Sequence, residues 1–283
     1  IHGLCRTDGI DEVDALDILI LLLNALPQSV TTTHYNGLLP IHLAALNKSP
    51  EFCKILIDAY PESVRIVGGG GLLPVHCACG RGKVDTVKYL FELYPEGIDT
   101  CYGDGSYQFL PIHEAAGSSG DEKAAIIRFL LSLDPTAASK ALATRHLPLH
   151  LACALCKVDI QSVQILFDAY PEAIYTKDID GESPLDTARR VLGQNSDVVT
   201  FLRTQLAYAY QAQNTTLMTT PDQNGNLPLH HALHNNASLG AIKLLVRGNP
   251  AALQVVDRQG AFPLHVACEP MLSSIWWSLT VAF

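Results

Sequence analysis

One short pattern governs everything this chain can fold into. It reads leucine, proline, an aliphatic residue, histidine, any residue, alanine, usually led by a glycine. It appears as Gly37-Leu-Leu-Pro-Ile-His42-Leu-Ala44 and Gly71-Leu-Leu-Pro-Val-His76-Cys-Ala78, then as Leu110-Pro-Ile-His113-Glu-Ala115 and Leu147-Pro-Leu-His150-Leu-Ala152. Later copies are Gly225-Asn-Leu-Pro-Leu-His230-His-Ala232 and Gly260-Ala-Phe-Pro-Leu-His265-Val-Ala267. A divergent copy, Gly181-Glu-Ser-Pro-Leu-Asp186-Thr-Ala188, puts aspartate in the histidine slot, and the chain opens inside a copy at Ile1-His2. Starting from His2, the successive spacings of that slot are 40, 34, 37, 37, 36, 44 and 35 residues. A period of that length marks an array in which each unit is one supersecondary element.

Each unit carries a second signature. An apolar stretch of helical spacing runs into a proline, as in Phe52 to Tyr60-Pro61, Val87 to Tyr94-Pro95 and Val163 to Tyr170-Pro171, with Pro27, Pro135 and Pro250 completing the set. Proline disfavours helix in the residue before it, so each marks a helix end. Three residues on comes Val30, Val64, Ile98, Ala138, Ile174 or Leu253, read as a plug that returns the chain to the core. The proline of the first motif fits the opening of a helix, where its missing N–H costs nothing. A unit is therefore a short helix, a turn, a second helix and a projecting loop. Its second helix has an apolar face that only a neighbouring unit can bury, so stability is a sum of units and interfaces.

The motif resembles the Thr-Pro-Leu-His-x-Ala signature of ankyrin repeats, and the resemblance spans essentially the whole chain in eight registered copies. It implies an all-α solenoid of stacked antiparallel helix pairs with projecting loops. The expected organisation is a single array over 1–283 of about eight units, the first (1–34) and last (258–283) truncated, with a longer irregular unit at 179–222. The chain departs from the family where threonine would cap the first helix. It has Leu39, Leu73, Leu110, Leu147, Leu227 and Phe262 instead, and only Ser183 keeps a hydroxyl. A missing cap oxygen costs about 1 kcal/mol per helix. In the long unit the second helix is expected from Asp197 to about Gln211, followed by a polar loop from Asn214 to Asn226.

Composition narrows the function. The formal net charge is −9 and no basic run stands out, which argues against nucleic acid as the partner. No stretch of 18 apolar residues suggests a membrane span. The ends read as cut edges of something longer, and the apolar close from Met271 to Phe283 reads as prone to aggregation. Four of the eight cysteines, Cys5, Cys79, Cys153 and Cys268, share a slot that Ala45 and Ala116 fill in other units, so they read as small core residues. Their spread suits a reducing, intracellular and cytoplasmic setting.

Nothing reads as a catalytic site. Seven of the eleven histidines occupy the repeat slot, where structural use in every unit explains them. His146, His150, Cys153 and Cys156 have zinc-like spacing, but the repeat already accounts for His150 and Cys153. Gly68 to Gly71 lacks the lysine of a phosphate loop and reads as a flexible turn. The sequons at Asn47, Asn214 and Asn236 would matter only in a secreted protein. No cofactor is expected. Arrays of the resembled kind grip proteins with loop tips and a concave helix face, free of deep pockets. That points to a non-enzymatic, monomeric scaffold or adaptor with a protein partner. The alternative is a regulatory segment of a larger enzyme, channel or ubiquitin ligase. Candidate contacts are Tyr35, Tyr102, Tyr107, His146, Asp180, Glu182 and Asp257 on the loops, and Asn47, Arg81 and His234 at the ends of first helices. The Tyr102–Tyr107 loop is expected to matter for binding and little for stability.

Overall fold

The computed structural model describes residues 1–6, 9–81, 83–103 and 108–268. Among these the chain is helical, with a lone antiparallel bridge between Tyr102 and Phe109 as its only extended pairing. The first helices are α1 (His2–Arg6), α3 (Pro40–Asn47), α5 (Pro74–Arg81), α7 (Pro111–Ala116), α9 (Pro148–Cys153), α11 (Pro184–Leu192) and α14 (Pro228–His234). The second helices are α2 (Glu12–Ala25), α4 (Pro50–Ala59), α6 (Val84–Leu93), α8 (Lys123–Leu133), α10 (Ile160–Ala169), α12 (Asp197–Gln213) and α15 (Leu239–Gly248). A further short helix, α13 (Thr215–Thr219), lies between α12 and α14. A helix also starts at Pro263. The apolar segment from Met271 to Phe283 lies outside the described residues.

Both proline signatures act as read. The motif proline opens each first helix from α3 onward, and the second proline follows the residue that ends its second helix and starts a 3₁₀ turn at Pro27, Pro61, Pro95, Pro171 and Pro250, while after Pro135 the turn begins at Ala137. The expected plugs Val30, Val64, Ala138 and Ile174 are buried, Ile98 is half-buried, and Leu253 is exposed, with Ala252 buried beside it instead. Leucine before the motif proline is a core residue in most units: Leu39, Leu73, Leu147 and Leu227 are buried, whereas Leu110 is half-buried and Phe262 is exposed. Burying a leucine gains roughly 2 kcal/mol, enough to offset the missing cap oxygen.

The cap itself is supplied by histidine. Nδ1 of His42, His76, His113 and His150 accepts the backbone N–H of the leucine three residues earlier, at 3.1–3.2 Å. This is the N3 half of a capping box, made by imidazole. The other ring nitrogen faces the next loop. His42 Nε2 donates to the carbonyls of Ile66 and Leu72 at 3.1 and 3.0 Å, and His76, His113 and His150 donate to those of Thr100, Lys140 and Thr176. With Nδ1 accepting and Nε2 donating, the ring must be the neutral tautomer. Burial opposes its charging, pushing His76 and His113 down to about 4 and holding His42 and His150 below the usual imidazole range.

The stack is regular up to α11. Each first helix packs against the next from α1 through α11, but α14 leaves the row and packs on α12 and α15. Helix α15 meets both α10 and α12. Its seat on α10 is fixed by Gly240, whose N–H donates to Asp168 Oδ1 at 2.6 Å, and by Lys243 Nζ, which donates to the Asp168 carbonyl at 2.7 Å. A Cβ on Gly240 would lie 2.5 Å from the Phe167 ring, so glycine sets this approach. The apolar core divides at the same place. One cluster runs from Leu4 to Ala209, with Leu244, and a second gathers Met218, Leu227, Leu229, Ala232, Leu245 and Ala252. Helix α12 is the expected long second helix, extended to Gln213. The expected polar loop after it is part helix, because Asn214 caps α13 and Met218 turns into the second core.

Candidate functional site

The projecting loops share one tight turn. In each, the first residue's N–H donates to the carbonyl four residues on, and the fourth residue's N–H donates back to the first carbonyl. The turns run His34–Leu38, Gly68–Leu72, Leu142–His146, Asp178–Glu182, Asp222–Asn226 and Asp257–Ala261. The fourth position has positive φ, from +76° to +86° in Gly37, Gly71, Gly181, Gly225 and Gly260, and Arg145 adopts it at +61°. The glycine run 68–71, expected as a flexible turn, is a packing contact instead. A Cβ on Gly69 would lie 1.6 Å from the Asn36 carbonyl oxygen of the preceding loop.

Adjacent loops are tied to each other. Ile179 N–H donates to the Thr144 carbonyl at 3.0 Å and Arg258 N–H to that of Asn224 at 3.1 Å. These bonds join four of the tips in two pairs, and the histidine arms hold the loop bases beneath. Among the described residues no such bond joins the 178–182 turn to the 222–226 turn, and none joins the earlier loops to one another.

The structure gathers most of the sequence-derived candidates into groups. Tyr35 stands at the tip of its loop, 91% exposed, with its ring 4.0 Å from that of His34. Asn47 and Arg81 line one cleft of about 400 Å³ with Glu12, Asp121 and Glu122. His234 and Asp257 line another of about 270 Å³. His146, Asp180 and Glu182 converge on the buried carboxylate of Asp178. Its Oδ1 accepts the N–H of Asp180 and of Glu182, each at 2.9 Å, and Oδ2 lies 3.3 Å from His146 Nε2. Glu182 also holds Arg190 through a two-pronged ion pair, which lowers its carboxyl below the usual range.

Two loop residues have structural duties. Tyr102 is half-buried, with its ring 4.9 Å from His76 and stacked 5.5 Å from Phe109. It walls the imidazole that anchors Thr100, so its ring is a packing group rather than a free tip. Tyr107 lies outside the described residues. Asp257 Oδ1 accepts the N–H of Gln259 and of Ala261, so its side chain shapes its own turn.

Sequence reading named Asp257 only as a contact and missed the other two aspartates that open these turns. Asp178 and Asp222 each accept two loop N–H groups, as Asp257 does, and Asp222 Oδ2 also meets His231 Nε2 at 3.0 Å. The signal was present: Asp-x-x-Gly recurs at 178–181, 222–225 and 257–260. The break after α11 was missed as well. Two open clefts of about 510 and 530 Å³ flank α12, sharing Thr204, Tyr208 and Asn235. Both are open grooves on the side of α12 that carries Thr204 and Tyr208.

The cysteines and histidines form no metal cage. Among the described residues no group of three or more His, Cys, Asp or Glu side chains could hold an ion. All eight cysteines are unpaired, and burial pushes the thiols of Cys5, Cys77 and Cys153 up to about 12. A thiol held protonated is a packing group and a poor nucleophile or ligand. No helix among the described residues is long and apolar enough to cross a membrane.

A family model of three-copy ankyrin repeats matches residues 10–104 and 41–139. Among solved structures, a chain from the complex of a Bdellovibrio bacteriovorus predatory endopeptidase with an immunity protein aligns at a TM-score of 0.55. It is 16% identical, and the alignment covers 72% of this chain and 96% of that one. At that identity the likeness speaks to fold alone. No curated protein matches the sequence.

Proposed function

Because the chain belongs to the ankyrin-repeat family, we propose that it is a non-enzymatic scaffold that binds a partner protein across several consecutive units. The observation that carries this reading is the way the projecting loops are held. Each tip closes on its own turn bonds, and a buried histidine of the preceding unit holds the loop base at His42, His76, His113 and His150. Preorganised loops lose little entropy on binding, so contact area there converts efficiently into affinity. An ordinary interface buries about 800 Å² per partner, more than one tip supplies and within the reach of three or four neighbours.

The contact set has two parts. Tyr35 on its tip and the Asn47–Arg81 cleft lie on the first units. The Asp178-centred group with His146, Asp180 and Glu182, then His234 and Asp257, lie further along the array. Tyrosine and arginine are the residue types most often found at hot spots. The unpaired thiols fit a reducing compartment and support an intracellular setting for this work.

The test is affinity capture with the whole chain as bait, followed by Tyr35→Ala and Arg81→Ala together on the captured partner. Each anchor is worth roughly 2 kcal/mol, so affinity should fall at least a hundredfold while the melting temperature stays put. Undiminished affinity would remove both residues from the site.

A further inference from the structure

Glu114 stands where the fold has no use for a charge. It follows the slot histidine of α7, a position held by Cys77 in the unit before and Leu151 in the unit after, and no other unit places a carboxylate there. The residue is half-buried and leans on α5 so closely that a Cβ at Gly80 would lie 3.0 Å from Oε2. Among the described residues its carboxylate has no hydrogen-bond or ion-pair partner. Burial alone acts on it, raising its carboxyl above the usual range, with no cation near enough to bring it down. Other acids at unit boundaries are employed. Glu12, Glu122 and Asp168 accept the N–H of Ser49, Val84 and Gly240 in a neighbouring unit. A carboxylate taken partly out of water and given no partner lowers stability, and nothing inside the chain compensates it.

The space beside it has the matching form. A cleft of about 270 Å³ opens between α7 and α9, lined besides Glu114 by Phe109, His113, Gly117, Leu151, Ala154 and Leu155. Both ring nitrogens of His113 are engaged with backbone, so the imidazole adds no charge and no free donor. The remaining side chains are apolar, and Glu114 is the one ionised group in the lining. The slot four residues after the histidine holds Leu46 in α3 but only Gly80, Gly117 and Ala154 in α5, α7 and α9, which leaves room next to the carboxylate.

We propose that this cleft receives a lysine or arginine side chain of the partner protein, its aliphatic stem on Leu151, Leu155 and Phe109 and its cationic head at the Glu114 carboxylate. Long basic side chains join an apolar stem to a charged tip, and the cleft offers the two complements side by side. An uncharged apolar side chain would fill the walls and leave the carboxylate unpaired, which selects against it. The net charge of −9 favours the approach of a basic partner. This pocket presupposes the scaffold role above and adds a specificity to it.

Amide chemical-shift titration of the whole chain reads the pocket without the captured partner. The probes are blocked pentapeptides, two glycines on each side of a central arginine, lysine or norleucine. The arginine and lysine peptides should shift amides of residues 109–117 and 151–155. Binding should be roughly tenfold weaker for norleucine, and equally weakened for the basic peptides in Glu114→Gln. That variant should melt no lower than the parent at pH 7, because it removes a charge that the fold leaves unpaired. No shift with either basic peptide overturns the pocket while leaving the scaffold reading, which is judged on Tyr35 and Arg81, standing. Equal binding of norleucine, or undiminished binding in the glutamine variant, overturns it by showing that the charge takes no part. A variant that melts lower overturns it too, since the carboxylate would then be a contact of the fold.

Discussion

Two stretches of this array solve the same problem with different chemistry. From α3 to α9 a buried imidazole at N3 caps the first helix with Nδ1 and holds the next loop with Nε2. At α11, Asp186 takes that slot. Its carboxylate accepts the Ser183 N–H at 3.1 Å and the Ser183 hydroxyl at 2.7 Å, while the Ser183 hydroxyl accepts the Asp186 N–H. That is a complete capping box. A carboxylate spent on its own cap has no second arm aimed across the unit boundary. After α11 the first-helix row ends and the core splits. Downstream, the buried Nε2 of His230 has no hydrogen-bond partner. Helix capping is thus local and interchangeable, and the arm across the unit boundary is what the exchange of histidine for Asp186 gives up.

The widest test of this contrast is acid. His76 and His113 are lowered to about 4, so the unfolded chain binds more protons than the folded one as pH falls from about 6.5 toward 4. Their stabilisation is complete above the unfolded imidazole value and is lost through that window, roughly 3 kcal/mol for each at its lower end. Asp186 moves the other way. Hydrogen bonds from Ser183 hold its carboxyl low, so its contribution persists through the same window and falls only below the ordinary aspartate range. Urea titrations from pH 7 to pH 4.5 should show falling stability. Amide exchange at pH 5 should lose protection in α5 and α7 before α11. Equal loss in all three helices would break the comparison.

A smaller effect is expected at the loops. Tyr102→Ala removes the ring wall of His76 and the Phe109 stack, and should destabilise the chain by about 2 kcal/mol. Tyr35→Ala on its exposed tip should leave the melting temperature unchanged. If the two behave alike, Tyr102 is an ordinary surface tip. The smallest effect belongs to the cap. Ser183→Ala should cost about 1 kcal/mol in chemical denaturation, in line with a lost N-cap hydroxyl. A null result would mean that Asp186 carries the cap alone.

Much of the architecture was readable because its signals are local. The motif proline opens helices, and the second proline closes them at Tyr60, Tyr94 and Tyr170, because proline restricts its own φ and its predecessor wherever it stands. The cysteine-for-alanine slot was readable as core because a small apolar side chain recurs at a fixed place in the period. Candidate contacts were legible only as types and places. Tyr35 is exposed as its loop position suggests, but Asp257 and Tyr102 have their side chains committed to a turn and to an imidazole.

By itself, then, the sequence determined the repeat, its helix boundaries and the identity of its core slots, since each follows from backbone chemistry within one unit. Only the tertiary structure decided where the stack breaks and which loop side chains are committed to their own turns. Those outcomes depend on what the neighbouring unit covers, and a neighbour's reach is set by packing across 24 to 75 residues of chain, as in His76 to Thr100 and Lys243 to Asp168. No spacing within one unit encodes that distance.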